Sequence, residues 1–282
     1  MRTWKFFAIV MAIVLGCSGC SSSSQNFENT VPMIVEFYDE PEEPEEFLDF
    51  NPEILGKVDS ETEKVLKDCQ LQVLKYFKDK DKDIDVLDKL SKLENTYIYC
   101  APDSGIAGFY KPGTCDVYLE ADTLLDIDYL KFVYIHELMH YLGFSDDETT
   151  MMQEGMADAI AEDILGYSYE YSYDMPRWLC HQLITADPEL LSYIICGGDI
   201  DDRIDERLED VPREWYVPEH DMSMSDVLDI LLYNIEYDYE LDIDTIICYV
   251  DQCQSIVVAY CNTFDLTDEQ KKELSQFIIE IE

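Results

Sequence analysis

Two histidines four residues apart, with a glutamate directly after the first, restrict the fold of this chain more than any other feature. They are His136, Glu137 and His140. On an α-helix such histidines are separated by about 40° around the axis, so they lie on one face. Both imidazoles can therefore bind one zinc ion, while Glu137 would lie beside the open coordination position, where a carboxylate can accept a proton from water. The spacing predicts a zinc-binding helix.

The flanking residues favour that helix, over about residues 128–142. Either Asp126 or Asp128 can cap its start, and Gly143 can end it. Apolar residues recur at helical spacing and would bury the side away from the metal; they are Leu130, Val133, Leu138 and Leu142. The chain has only four histidines, and a buried Glu137 without a metal or a partner would be costly. We therefore favour metal ligands over ordinary half-buried histidines.

A catalytic zinc ion usually has three protein ligands and one water, so a third ligand is required. Residues 151–162 have helical periodicity and place Glu154 and Asp158 one turn apart on one face. Glu154 would bind the zinc, and Asp158 would accept a hydrogen bond from the outer nitrogen of a ligating histidine. The small residues Gly155 and Ala157 would let this helix press closely against the first.

With these residues, the chain resembles the gluzincin branch of zinc peptidases, the thermolysin-like group. In that branch the HExxH motif is followed by a second helix that carries the glutamate ligand, with an aspartate four residues later. The resemblance covers about residues 97–166, and the short interval between His140 and Glu154 implies a compact member of the group. It implies a metallopeptidase acting on peptides or proteins, with ligands His136, His140 and Glu154, general base Glu137 and supporting residue Asp158.

Another residue is also a candidate for the third zinc ligand. From the first histidine the sequence also fits HExxHxxGxxD, which resembles the metzincins, with Gly143 turning the chain and Asp146 reaching the metal. The pair Met151 and Met152 follows too soon to serve as the methionine turn of that group. We favour Glu154, because its helical partner Asp158 makes the more specific arrangement.

Upstream, residues 106–110 and 116–119 alternate and are separated by a Lys-Pro-Gly turn signal, so they predict a hairpin, preceded by a strand at 96–100. Zincins carry an antiparallel edge strand just before the active-site helix, and extended substrate adds to it. We expect that edge around Val117 to Leu119. The predicted fold class is α+β: a mainly helical zincin-like domain with a small antiparallel sheet beside the active-site helix.

The remaining segments are predominantly helical patterns. Ser60 and Glu63 have the spacing of a capping box, as do Thr267 and Gln270. Further helices are predicted at 177–186, 225–233, 244–261 and 267–281. The acidic cluster at 79–85 lacks the glycine and the final glutamate of an EF-hand calcium loop, and we interpret both this cluster and the one at 199–205 as solvated faces.

The N-terminus predicts export. Residues 1–17 have the basic start and short apolar run of a signal peptide and end in a bacterial lipobox-like sequence, so lipidation is expected at Cys17 or, alternatively, Cys20. Residues 18–54 form an acidic, Pro/Ser-rich tether, and 55–282 the catalytic domain. The expected location is the bacterial cell surface or another extracytoplasmic face, anchored to the membrane by lipid.

Charge and cysteines limit the partners and the cross-links. The net charge of −43 argues against nucleic acid binding, which needs clustered Lys and Arg. An exported chain permits disulfides, and Cys100 with Cys115 and Cys180 with Cys196 are possible pairs, with free buried thiols as the alternative.

Two further questions stay open from the sequence. The donor that would stabilise an oxyanion could be His181, His220 or a tyrosine between Tyr167 and Tyr173, although His181 is read more readily as a core histidine. From a different functional class, the chain could be a non-catalytic surface-binding lipoprotein that keeps the zincin fold; the intact ligands and base argue against it.

Overall fold

The computed structural model describes residues 52–80, 86–101, 105–111, 113–143, 149–169, 173–211, 222–238 and 240–276. The strands are β1 (Glu53–Lys57), β2 (Asn95–Cys100), β3 (Gly108–Tyr110) and β4 (Asp116–Glu120). The helices are α1 (Ser60–Lys80), α2 (Val86–Leu90), α3 (Ile127–Leu142), α4 (Met151–Leu165), α5 (Asp174–Ala186), α6 (Leu190–Ile195), α7 (Ile200–Leu208), α8 (Met224–Tyr237), α9 (Ile243–Cys261) and α10 (Asp268–Leu274), with a short 3-10 helix at Ala121–Leu125. The α+β class is confirmed.

The sheet is mixed rather than antiparallel. Its order is β1-β2-β4-β3, with β2 and β4 parallel and the two outer pairs antiparallel. The hairpin of β3 and β4 is present as predicted, but the predicted edge at Val117 to Leu119 is wrong. That segment is β4, which pairs with β2 on one side and β3 on the other, and its side chains Val117 and Leu119 are fully buried. The edge strand beside α3 is β3.

Helix α3 lies between the sheet and the other helices and carries both histidines. Its first turn is capped by Asp126, whose carboxylate accepts hydrogen bonds from the backbone N–H of Asp128 (2.9 Å) and Tyr129 (3.2 Å). Its end is fixed by Gly143, at φ 151°, whose N–H bonds back to the last turn. Thr150 and Gln153 form a capping box that starts α4. Both predicted helices of the site are therefore confirmed, each with a local start signal.

Other helix starts correct the sequence analysis in part. The cap of α1 is Asp59, which accepts from the backbone N–H of Glu61 and Thr62 at 3.0 and 2.8 Å, so the capping box predicted at Ser60 is wrong. Ser60 already belongs to the first turn, because the carboxylate of Asp59 before it accepts from the first free backbone N–H groups of the helix. The capping box at Thr267 is confirmed. Strand β1 begins at Glu53, two residues before the predicted start of the domain.

The acidic segment 199–205 caps and begins α7 and is not a solvated face. Ile200, Ile204 and Leu208 recur every four residues and bury one side of this helix in the core. Two of its acids are tied to α4: Asp199 accepts from the Gln153 amide at 2.8 Å, and Asp201 from the Thr150 hydroxyl at 2.9 Å. The cluster at 79–85 lies mostly outside the described residues.

All eight cysteines of the described segments are free thiols, so neither predicted disulfide is formed. The parallel pairing of β2 with β4 explains why Cys100 and Cys115 do not form a disulfide. Asn95 is opposite Asp116, so Cys115 lies beside one end of β2 and Cys100 at the other end, about 16–20 Å away at 3.3 Å per residue. Cys180 is buried in α5, whereas Cys196 is exposed at the end of α6.

Among the described helices, none is both long and apolar enough to span a membrane. The predicted signal peptide, Cys17 and Cys20 lie outside the described residues.

Candidate metal centre

Three donor atoms converge where α3 faces α4. The Nε2 atoms of His136 and His140 are 3.0 Å apart. The Glu154 carboxylate lies 3.0 Å from Nε2 of His136 and 3.6 Å from Nε2 of His140. All three donors lie within 4.8 Å of one another, so this group could hold a metal ion. The structure thus brings together the three residues that the sequence analysis selected as ligands.

Asp158 orients the first of these histidines. Its Oδ1 lies 2.7 Å from Nδ1 of His136, and its Oδ2 accepts the backbone N–H of Tyr173 at 2.7 Å. A carboxylate accepts hydrogen bonds, so Nδ1 of His136 carries a hydrogen here, and Nε2 is the ring nitrogen that faces the donor cluster. Asp158 is 2% exposed, and both of its oxygens are used. Asp158 therefore lies where the predicted hydrogen bond to the outer nitrogen of a histidine requires it.

Packing of α4 differs from the prediction at one position. A Cβ added to Gly155 would lie 2.5 Å from the backbone carbonyl carbon of Pro176 and 2.8 Å from the backbone nitrogen of Arg177. Both belong to α5, so Gly155 permits close approach of α5, and the prediction that it presses against the histidine helix is wrong. This contact fixes the next helix behind Glu154 and brings Tyr173, the residue before α5, over the site.

The ionisable groups of the centre are strongly coupled. Burial lowers the pKa of His136, but its hydrogen bonds with Asp158 and Glu154 raise it by more, to well above its usual value. Burial likewise opposes protonation of His140, and the charge of Glu154 raises its pKa overall. For Glu154 burial raises the pKa, but the two imidazoles outweigh it and hold the pKa well below the usual range. The Glu154 carboxylate is therefore ionised.

Glu137 lies beside this cluster, against the edge strand. It is 5% exposed, and burial raises the pKa of its carboxyl above the usual value, partly opposed by His136 and His140. The backbone N–H of Tyr110 in β3 faces this carboxylate and also lowers its pKa. Of the two glutamates in the site, Glu137 thus binds a proton more readily than Glu154 does, which is the property of a proton acceptor.

The other predicted residues divide by location. Asp146 and His220 lie outside the described residues. His181 is half-buried and paired with Glu162 at 3.2 Å and Asp163 at 3.7 Å, about two helical turns beyond Glu154 along α4. This agrees with its interpretation as a satisfied structural histidine.

Two tyrosines complete the surroundings of the site. The ring of Tyr173 stacks over that of His136 with centroids 6.4 Å apart, and its hydroxyl lies near that of Tyr237. Burial, and then the charge of Glu154, raises the pKa of both phenols, so both stay protonated donors. Tyr237 comes from α8 and is 42% exposed. The sequence analysis missed it, because no local pattern joins it to a motif about 100 residues earlier.

Comparisons with protein-family models, with curated proteins and with solved structures gave no match.

Proposed function

We propose that the chain is a zinc-dependent metallopeptidase. The observation that carries this proposal is the convergence of two imidazole nitrogens and one carboxylate, with Asp158 fixing which nitrogen faces the centre. Ligands at about 2.0–2.1 Å from a tetrahedral zinc ion are about 3.3–3.4 Å apart. The two imidazole nitrogens are 3.0 Å apart, and the Glu154 carboxylate places one oxygen 3.0 Å from His136 and the other 3.6 Å from His140, distances close to that value. Two nitrogens and one oxygen also suit zinc better than calcium or magnesium, which prefer oxygen ligands.

The residues around the centre supply the parts of a hydrolytic mechanism. A bound Zn²⁺ would act as a Lewis acid toward the substrate carbonyl and lower the pKa of a water molecule. Glu137 accepts the proton from that water and passes it to the departing amine, which its raised pKa favours. The hydroxyls of Tyr173 and Tyr237 are the donors available to the oxyanion, since both lie on the Glu154 side of the site and stay protonated.

A peptide or protein is the substrate class that the neighbouring strand supports. β3 is at the edge of the sheet, and within the described segments no strand pairs with its outer side. An extended peptide can add to such an edge by backbone hydrogen bonds, which would bring its amide groups beside Glu137. The net charge of −43 makes nucleic acid an unsuitable partner.

We further propose that the enzyme is a lipoprotein on an extracytoplasmic face of a bacterial membrane, with lipid attached to Cys17 or, alternatively, Cys20. The support is the signal-like N-terminal sequence. Metabolic labelling with a fatty acid tests it: Cys17→Ser should abolish labelling and Cys20→Ser should preserve it. Labelling that survives both substitutions would contradict the proposal.

The activity is tested with the purified chain and a mixed peptide library, with and without a chelator. We expect chelator-sensitive cleavage and about one zinc per chain by elemental analysis. Glu137→Gln should retain zinc and lose cleavage, because it removes the proton acceptor and no ligand. Zinc binding without cleavage would instead support the non-catalytic binding lipoprotein.

A matched pair of variants tests which residue is the third zinc ligand. Glu154→Gln should abolish zinc retention, whereas Asp146→Asn should preserve it. The opposite result would move the protein to a metzincin-like site with Asp146 as third ligand. Failure of zinc to bind to the unmodified chain would contradict the whole proposal.

A further inference from the structure

The outer edge of β3 carries the backbone groups of alternate residues. β3 and β4 are antiparallel with Gly108 opposite Leu119, and the N–H of Glu120 donates to the carbonyl of Ala107 at 2.8 Å. In an antiparallel ladder, residues that exchange hydrogen bonds with the partner alternate with residues whose N–H and C=O point away. Because Ala107 bonds to β4, the backbone groups of Gly108 and Tyr110 point toward the open edge.

One of these groups points toward the protein. The N–H of Tyr110 faces the carboxylate of Glu137. A donor that belongs to a sheet has a fixed position, since moving it would break the pairing of Phe109 with Tyr118 beside it. The strand backbone therefore restricts the rotamer of Glu137 without any side chain taking part.

Gly108 lets β3 approach α3 closely. An added Cβ would lie 2.9 Å from Cγ1 of Val133, 3.0 Å from Cγ of Glu137 and 3.1 Å from its Oε1. These neighbours belong to the buried face of α3, so Val133 has little room to move. Any side chain at this position would force β3 and the helix apart by some tenths of an ångström or more.

We propose that β3 is the positioning strand of Glu137: Gly108 admits the strand to the surface of α3, and the Tyr110 N–H then orients the carboxylate. The catalytic consequence rests on the proposed peptidase function, whereas the contact itself does not. Gly108 and Tyr110 are positioning residues in this scheme, acting through Glu137 on the reaction.

The kinetic test uses Gly108→Ala. Displacing a catalytic group by a fraction of an ångström to 1 Å can cost up to about a hundredfold in rate. We expect kcat to fall at least about tenfold, KM to change by less than about threefold, and zinc content to stay at the wild-type value. Tyr118→Phe is the control: it removes one hydroxyl from a ring that stacks on Phe109, on the opposite face of β4 from the buried Val117 and Leu119, so kcat should stay within about twofold.

A double variant keeps the test valid if the alanine variant folds poorly. Val133→Ala removes the atom nearest to the new methyl group, so Gly108→Ala should reduce kcat less in that background than in the wild type. An unchanged kcat in Gly108→Ala, with turnover present in the wild type, would overturn the proposal and leave the peptidase function intact.

Amide hydrogen exchange gives a readout that needs no turnover. In the full-length chain the Tyr110 amide should be protected although it faces an open sheet edge. Glu137→Ala should speed its exchange at least about tenfold, whereas Glu137→Gln, which keeps an acceptor oxygen, should retain most of the protection. The Phe109 amide, which faces β4, is the internal control and should stay protected in every variant. If the Tyr110 amide exchanges equally fast in wild type and Glu137→Ala, the proposal is wrong. If protection depends on Glu137 but no peptide is cleaved, the peptidase function fails and the contact stands.

Discussion

Replacing Asp158 by asparagine tests how far the metal centre depends on a carboxylate outside the ligand set. Asp158 accepts two hydrogen bonds of 2.7 Å, from Nδ1 of His136 and from the backbone N–H of Tyr173. Asparagine has nearly the same shape but only one acceptor oxygen, and its other terminal atom is an NH₂ donor. The variant must therefore lose one of the two bonds, and which one it loses determines how zinc binding suffers.

Both possible outcomes are unfavourable. If the amide oxygen stays on Tyr173, the NH₂ group faces Nδ1 of His136, and the ring hydrogen must move to Nε2, where the metal should bind. If the oxygen turns to His136, the Tyr173 N–H loses a buried partner, at a cost of about 1–3 kcal/mol. Loss of such a partner of a metal-binding histidine typically lowers affinity 10- to 100-fold, which corresponds to about 1.4–2.8 kcal/mol. We expect Asp158→Asn to weaken zinc binding by that factor.

Titration of zinc against a competing chromophoric chelator at pH 7.5 measures this affinity, and nitrogen NMR of the His136 ring reports which nitrogen carries the hydrogen. Asp163→Asn is the control, because Asp163 lies on the same helix but bonds to Tyr76 at 2.9 Å instead of to the site. Its zinc affinity should stay within about twofold of wild type. An Asp158→Asn affinity within twofold of wild type, with the ring hydrogen still on Nδ1, would refute the reasoning.

Three further predictions concern pH and packing. Zinc affinity should fall as the pH is lowered, and the fall should begin above pH 6.5, the usual pKa of histidine. The reason is that the pKa of His136 is raised, so a proton must leave this side chain before zinc binds. A flat profile in zinc titrations from about pH 5.5 to 8.5 would contradict this prediction. Gly155→Ala should lower Tm by roughly 3–10 °C in calorimetry. The added Cβ would lie 2.5 Å from the Pro176 backbone, and such overpacking destabilises the fold by about 1–3 kcal/mol. An unchanged Tm would disprove the clash. Burial, together with the charge of Asp199, raises the pKa of Asp201 to about 7. Its ionisation therefore destabilises the folded protein progressively as pH rises from about 4 to 7, so Asp201→Asn should stabilise it at pH 8 by up to about 4 kcal/mol and by clearly less at pH 5. Denaturant unfolding at both pH values measures the difference, and an equal gain at both would show that Asp201 does not titrate there.

Local signals predicted the centre of the site well. The four-residue spacing of His136 and His140, and of Glu154 and Asp158, fixes which side chains share a helix face, whatever the rest of the chain does. The cap at Asp126 and the stop at Gly143 act within one helical turn. These features depend on neighbours within four residues, so the sequence contains all the information needed to predict them.

Features that depend on distant pairing could not be predicted in the same way. Alternation shows that residues 106–110 and 116–119 are strands, but it does not show which of them lies at the edge, because both strands alternate equally well. The partner across the sheet decides that, and β2 takes the inner place beside β4. The acidic count of 199–205 similarly masked the three apolar residues of α7, although the spacing of Ile200, Ile204 and Leu208 was a usable signal for a buried helix face.

The difference between the two glutamates of the site also follows from three-dimensional surroundings. Glu137 and Glu154 are the same residue type, and both are largely withdrawn from water, which alone would raise both pKa values. Glu154 faces two imidazoles directly, at 3.0 and 3.6 Å, and their attraction outweighs burial. For Glu137 the same histidines and the Tyr110 N–H offset burial only in part, so its pKa stays raised. A group that stays ionised suits a metal ligand, and a group poised to bind a proton suits a base. The assignment of roles to the two glutamates thus rests on how each environment treats the same carboxylate, a physical reason that the motif alone does not contain.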